Sequence, residues 1–175
     1  MKVLKKILII LLVIIAIPLV VALFVKKEYS VEREVTVNKP SQEVFNYVKH
    51  LKNQDRYNKW IMMDPKMKKE TKGTDGTVGF IYAWDSSEVG KGEQEIKSVT
   101  EGRSIETELR FIEPFEGLAT ARLTTEAVSP DQTKVRWTMA GKSNYPMNIT
   151  NLFTGNLLGK DLETSLVALK SAIEE

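Results

Sequence analysis

Two short runs of the sequence hold carboxylates at alternate positions, Glu93 with Glu95 and Glu106 with Glu108. Alternation along a strand puts each pair on one face, and paired carboxylates can do general acid–base work when they are buried. Their neighbours argue against burial. Gln94, Ile96, Ile105 and Leu109 occupy the opposite parity and take the core side, which leaves the glutamates on a solvated face with Arg110 and Arg122 as cross-strand ion-pair partners. Other reactive groups are scarce: the 175 residues include no Cys and one His, His50. Disulfides, thiol nucleophiles and cysteine zinc sites are thereby excluded, and a metal site would need carboxylates alone around His50. His50 follows a short helical segment beside Lys49 and Lys52 and reads as a solvent-exposed helix end. No Gly-x-Ser-x-Gly elbow is present, and a triad could draw only on His50. The run Gly73-Thr74-Asp75-Gly76-Thr77-Val78-Gly79 lacks the Gly-Lys-Ser/Thr ending of a phosphate loop and precedes a strand, so a hairpin turn is expected. Asn148-Ile149-Thr150 fits the glycosylation pattern only by chance, at the start of a helix. The sequence points to no catalytic residue, no metal and no cofactor.

What it offers instead is a set of apolar strand faces. Phe80, Tyr82 and Trp84, then Ile105, Leu109 and Phe111, then Leu123, then Val135, Trp137 and Met139 each fall on one parity, and Phe153 and Leu157 sit on the last helix. Together they could wall an apolar ligand cavity, since such sites are mostly hydrophobic with a few polar groups for orientation. A filled core would use the same residues. Met62, Met63, Met67 and Met147 could form a pliable entrance, thioether chains being adaptable, although Met also serves as a gap-filler.

The elements that must position these residues follow from periodicity. Residues 29–37 alternate as a half-buried strand, which Asn38-Lys39-Pro40-Ser41 ends because Pro cannot continue a ladder and Ser41 is a good helix cap. Val44, Phe45, Val48 and Leu51 are spaced for a short amphipathic helix, and a further turn or two of helix is expected over residues 54–60. Beyond the glycine turn, Val78, Phe80, Tyr82 and Trp84 alternate as a strand, with more strands near residues 92–99, 104–112, 117–127 and 134–142. A long helix starts near Pro146 or Met147, with Leu158, Leu162, Leu166, Leu169 and Ile173 as its apolar stripe. Gly155 and Gly159 share one side of it, where the helix could approach the sheet or bend. The order is strand, two short helices, about six strands, long helix: an α+β domain in which an antiparallel meander buries one face against the last helix.

The amino-terminal part obeys different rules. Residues 7–25 carry no charge, and a helix of that length reaches roughly 28 Å, close to the ~30 Å hydrocarbon core of a bilayer. A cleaved secretory signal is the competing reading, but its apolar region is usually about 7–15 residues and ends in a small-x-small site, which Val21-Ala22-Leu23-Phe24-Val25 does not offer. Pro18 lies inside the run, tolerable in a membrane helix if the freed carbonyl finds a partner. Residues 1–27 are therefore expected to be a basic flank and single-pass anchor, and residues 28–175 one folded domain. Lys2, Lys5, Lys6 and the terminal amine precede the span, while Lys26 and Lys27 follow it and are soon interrupted by Glu28, Glu32 and Glu34. This bias favours a cytoplasmic amino terminus and a domain on the far side. The formal charge of +2 comes from the amino-terminal lysines, the rest being slightly acidic, so no basic patch points to nucleic acid.

The segment Val35-Thr36-Val37-Asn38-Lys39-Pro40-Ser41-Gln42-Glu43-Val44-Phe45-Asn46-Tyr47-Val48, followed by Tyr57-Asn58-Lys59-Trp60 and the closing residues 162–170, resembles the helix-grip domains of the START, polyketide-cyclase and birch-pollen-allergen-like superfamily, SRPBCC. The resemblance covers essentially residues 29–174. It implies a curved antiparallel sheet wrapped around the long helix, enclosing a cavity that in many members takes lipids, sterols, polyketides or other apolar molecules. The chain lacks the acid–base set of the cyclase-like enzymes. The first expectation is thus a membrane-anchored, non-catalytic module binding an apolar small molecule or lipid. The alternatives are a polyketide cyclase or dehydratase-like enzyme, favoured by a buried carboxylate or Tyr/Arg pair, and an interaction domain with a filled core.

Overall fold

Alternation is realised along most of the sheet. The structure, a computed structural model, describes residues 2–175 and their side chains from Val3 onward; the terminal amine and the Lys2 side chain lie outside the described residues. An apolar helix α1 (Lys2–Ala22) runs unbroken through Pro18, and its Val3–Ala22 portion is long and apolar enough to cross a membrane. Then come β1 (Glu28–Val37), α2 (Ser41–Val48), a 3₁₀ turn (Leu51–Arg56) and α3 (Lys59–Met62). Six strands follow: β2 (Lys68–Lys72), β3 (Ile81–Ser86), β4 (Gly90–Thr100), β5 (Ser104–Glu113), β6 (Gly117–Ser129) and β7 (Gln132–Lys142). A second 3₁₀ turn (Met147–Thr150) leads into α4 (Asn151–Glu174).

The seven strands form one antiparallel sheet in the order β1-β7-β6-β5-β4-β3-β2, with β1 closing against the last hairpin strand, Val35 opposite Val135 and Val31 opposite Met139. β4 carries irregularities after Lys91 and after Ile96, which bend the sheet where it must curve. The concave face packs on α4, whose Leu162, Leu166 and Leu169 are fully buried with Val37, Val44, Val48 and Leu51 in one cluster. Each such side chain stabilises the fold by about 1.5–3 kcal/mol through burial.

Three local expectations are corrected. β2 was not foreseen: its sequence Lys-Lys-Glu-Thr-Lys is exposed at every position, as an edge strand can be, and so carries no hydrophobic period. The next strand begins at Ile81, not Val78, because Gly76 and Gly79 adopt positive φ and leave Val78 outside and exposed. The helical stretch over residues 54–60 is divided in two, since Asn58 ends one turn and caps the next by accepting a hydrogen bond from Trp60 N.

Candidate functional site: a cavity at the α1 end of the domain

Inward-facing side chains shrink along the sheet towards the end at which α1 joins. On β6 the series runs Leu123, Ala121, Ala119, and on β7 it runs Trp137, Met139, Gly141, while on α4 Leu166 and Leu162 give way to Gly159. This end also holds a cavity of about 240 Å³ bounded by Tyr29 (β1), Gln54, Asn58, Trp60 and Ile61 (the short helices), Met67, Tyr82 and Trp84 (β3), Val89, Gln94 (β4), Leu109 and Phe111 (β5), Met139 (β7) and Leu158 (α4). Every one of these residues is uncharged. Gly141 lets the Tyr29 ring fold across it, for a Cβ there would lie 2.5 Å from the phenol oxygen. Gly159 does the same for Arg33, whose Nε holds Glu163 at 2.6 Å, whereas Gly155 faces open space.

The expected wall residues separate into three groups. Tyr82, Trp84, Leu109, Phe111 and Met139 border the cavity. Phe80 and Val135 are buried in solid core, and Ile105, Leu123 and Trp137 surround only a gap of about 10 Å³. Phe153 and Leu157 are corrected outright: they are 61% and 67% exposed on the outside of α4, and Leu158, in register with the buried Leu162, lines the cavity instead. Sequence reasoning missed Tyr29, Gln54, Asn58, Trp60, Ile61, Val89, Gln94 and Leu158 as lining residues. Of the methionines suggested for an entrance, Met67 lines the cavity, while Met62, Met63 and Met147 are about half exposed.

The polar part of the wall is small. Trp60 N donates to Asn58 Oδ1 (3.1 Å), Asn58 Nδ2 donates to Gln54 Oε1 (2.8 Å), and Gln94 Nε2 donates to Thr107 Oγ1 (2.7 Å). The Tyr82 hydroxyl donates to Asp55 Oδ1 at 2.5 Å. Burial, reinforced by the Asp55 carboxylate, pushes the Tyr82 phenol above its ordinary range, so it stays protonated. Asp55 itself faces outward, where Lys69 pairs with it at 3.1 Å.

The carboxylates first considered for acid–base chemistry sit on the convex face. Arg110 gathers Glu93 at 2.7 Å, Glu95 at 2.8 Å and Glu108, and these hydrogen bonds hold the Glu95 carboxyl below its usual range and keep Arg110 charged. Glu106 lies directly opposite Arg122 in the ladder. His50 is half-buried, not free in solvent: its Nδ1 lies 2.7 Å from Asn46 O and its ring covers Gly76. The glycine loop joins β2 to β3, and its Asp75 carboxylate accepts from Leu51 N and Lys52 N. Among the described residues no group of three His, Asp or Glu side chains is placed to hold a metal.

The cavity adjoins a wider groove on the α1 side, and Tyr29 and Phe111 line both. Pro114, Phe115, Leu118, Tyr145 and Met147 rim that groove. α1 is tied to this end by side-chain amides. Asn148 Nδ2 donates to Ala22 O (2.6 Å) and Val25 O (2.8 Å), and Asn151 Nδ2 donates to Lys26 O and Lys27 O, both at 2.9 Å. Asn148 is fully buried, so the glycosylation pattern that includes it has a structural use.

Comparison with known proteins agrees with this architecture. Residues 28–174 match the family model described as polyketide cyclase / dehydrase and lipid transport. No curated protein matches the chain. Among solved structures, a protein from Nitrosospira multiformis is similar at 16% identity, covering 83% of this chain and 96% of its own, with a TM-score of 0.62. Truncated norcoclaurine synthase from Thalictrum flavum is 11% identical over 85% of this chain and 94% of its own, TM-score 0.62. The structure of Ara h 8.0201 is 12% identical over 83% and 97%, TM-score 0.58. At such identities the likeness shows the helix-grip fold; the family match, which spans the whole domain after α1, is what shows that the chain belongs to the polyketide cyclase / dehydrase and lipid transport family.

Proposed function

We propose that the chain is a single-pass membrane protein whose domain, residues 28–175, binds an apolar small molecule or lipid between sheet and α4 without transforming it. The observation that carries this reading is an uncharged cavity that shares Tyr29 and Phe111 with a groove at the end from which the apolar helix α1 emerges. The exposed apolar side chains gathered there, Phe24, Phe115, Leu118, Tyr145, Met147 and Leu152, support a mouth that rests against the bilayer. Tethering raises the effective concentration of membrane-derived ligands, so weak affinity suffices. The lysine distribution supports a cytoplasmic amino terminus with the domain on the other side.

The test is native mass spectrometry and solvent extraction of the full chain, expressed in cells and gently solubilised. A co-purifying apolar molecule near one per chain is expected, and Leu109→Trp, which fills the cavity, should release it. Recovery of the chain free of any such molecule, combined with no binding of a fluorescent fatty acid, would overturn the reading.

A further inference from the structure

The outer face of α4 changes character at its middle. Beyond Gly159 its exposed positions are mostly polar or charged, Lys160, Glu163, Thr164, Ser171 and Glu174 with Val167 among them. Before Gly159 they include Leu152, Phe153, Asn156 and Leu157, and the three apolar side chains are each more than half exposed. With Leu158 turned to the cavity, this part of the helix is apolar on both sides, a pattern that suits burial or lipid and not a free surface. The uncharged stretch is longer than these turns: no residue from Ser143 to Gly159 carries a charge, and Tyr145 and Met147 within it are exposed as well. Its place in the fold is fixed. The Asn148 and Asn151 amides hold the backbone carbonyls of Ala22, Val25, Lys26 and Lys27, where the chain leaves α1, and Phe24 and Leu152 line one recess beside them.

We propose that this face is a membrane-docking surface: Leu152, Phe153 and Leu157 seat in the lipid interface of the bilayer that α1 crosses, and α4 leaves the bilayer at Lys160. This rests on the single-pass reading above and adds a second contact with the same membrane. The tether favours lipid over a second copy of the chain. At about 1.5 Å per residue, Phe153 lies about 3 Å and Leu157 about 9 Å along the helix from Asn151, which is bonded to the residues just after the span. An interfacial helix sinks its apolar face about 5–10 Å into the boundary between head groups and acyl chains, so both side chains are within reach of it. Val167 and Ser171 lie about 24 Å and 30 Å from Asn151 on the same face, in the half whose charged neighbours keep it in water. Lys26, Lys27 and Lys160 flank the apolar patch, with stems long enough to carry their ammonium groups to head-group level. Tyr145, Met147 and Thr150 of the same uncharged stretch line the outer groove, so seating α4 also brings that groove to the bilayer.

The experiment uses the full chain in phosphatidylcholine nanodiscs, with one spin label at a time. Because the chain has no Cys, Phe153→Cys, Leu157→Cys, Val167→Cys and Ser171→Cys each carry a unique label, at an exposed position clear of the core. Accessibility to oxygen, which concentrates in lipid, is compared with accessibility to a water-soluble nickel chelate. The labels on Phe153→Cys and Leu157→Cys should lose the nickel effect and gain the oxygen effect, while those on Val167→Cys and Ser171→Cys keep the nickel effect in full. Val167, as exposed as Phe153, controls for apolar character alone. Nickel access on Phe153→Cys and Leu157→Cys equal to that on Val167→Cys overturns the docking surface and leaves the span intact. Protection that comes with a short distance between labels of two chains, and vanishes in discs holding a single chain, gives the face to a second copy and overturns the proposal too. If alkaline carbonate releases the chain from the membranes in which it was made, the single-pass reading fails and this one with it.

Discussion

Along α4, Leu162, Leu166 and Leu169 are buried to 1% exposure or less, whereas Leu158, one turn earlier, borders a cavity of about 240 Å³. The two halves of the same helix–sheet interface differ in side-chain size. The far half holds Phe45, Tyr57, Ile105, Leu123 and Trp137, with Tyr57 and Trp137 edge to face at 6.0 Å, and encloses a gap of only about 10 Å³. The near half holds the small residues Ala119, Gly141 and Gly159 at equivalent inward positions, and the cavity of about 240 Å³ lies in this half. Their ends differ as well: the far end closes in polar turns such as Glu101–Arg103 and Pro130–Asp131, the near end in a groove rimmed by Phe115, Leu118, Tyr145 and Met147. One half supplies stability, and the other gives up packing for space.

Truncation should separate them. Trp137→Ala opens a void in the packed half and should cost about 3–5 kcal/mol, read by urea denaturation. Leu109→Ala removes a side chain that already borders empty space, so little new void is made and the cost should be about 2 kcal/mol or less. Equal losses would mean that the near half is as tightly packed as the far half. A third, smaller effect belongs to the junction with α1. Asn148→Ala removes both hydrogen bonds to Ala22 O and Val25 O and should cost about 1–2 kcal/mol. Because the chain has no Cys, a spin label on Phe115→Cys can report depth in the bilayer, and Asn148→Ala should make that label shallower or more variable. A label as accessible to water as one on Asp131→Cys, at the far end, would remove the bilayer-facing mouth.

The packed half was largely legible in the sequence, whereas the hollow half was legible only in its strand residues Tyr82, Trp84, Leu109, Phe111 and Met139. Strict alternation in β1 and the leucine stripe of α4 are periodic signals that burial enforces, and both appear where expected. A cavity wall imposes no such period. Phe153 and Leu157 look like wall residues by type, yet the turn of the helix puts Leu158 inward. Gln54 and Asn58 lie in a run of polar residues that reads as surface, and only the fold turns this i, i+4 pair to face the cavity. Asn148 and Asn151 carry no signal of their own, since what they bind is the backbone of residues more than 120 positions away.

Tyr82 stands on the boundary, with its ring on the cavity wall and its hydroxyl outside on Asp55, and it gives the smallest effect with the clearest sign. Its phenol is raised above the ordinary value of 10.0 by burial first and by Asp55 second. A group raised in the folded state contributes stability that is complete below its unfolded value and is lost as pH rises from there through the folded value. At pH 7, Tyr82→Phe should lose about 1 kcal/mol with the hydrogen bond to a half-exposed carboxylate. Above about pH 10 the natural chain weakens as its unfolded state ionises, while the variant has no phenol there to ionise, so the gap between them should close. The remaining tyrosines are common to both proteins and cancel in the difference. Urea titrations at pH 7 and at about pH 10.5 measure it, and an unchanged gap would mean that the Tyr82 phenol is not held back from ionising by its place on the wall.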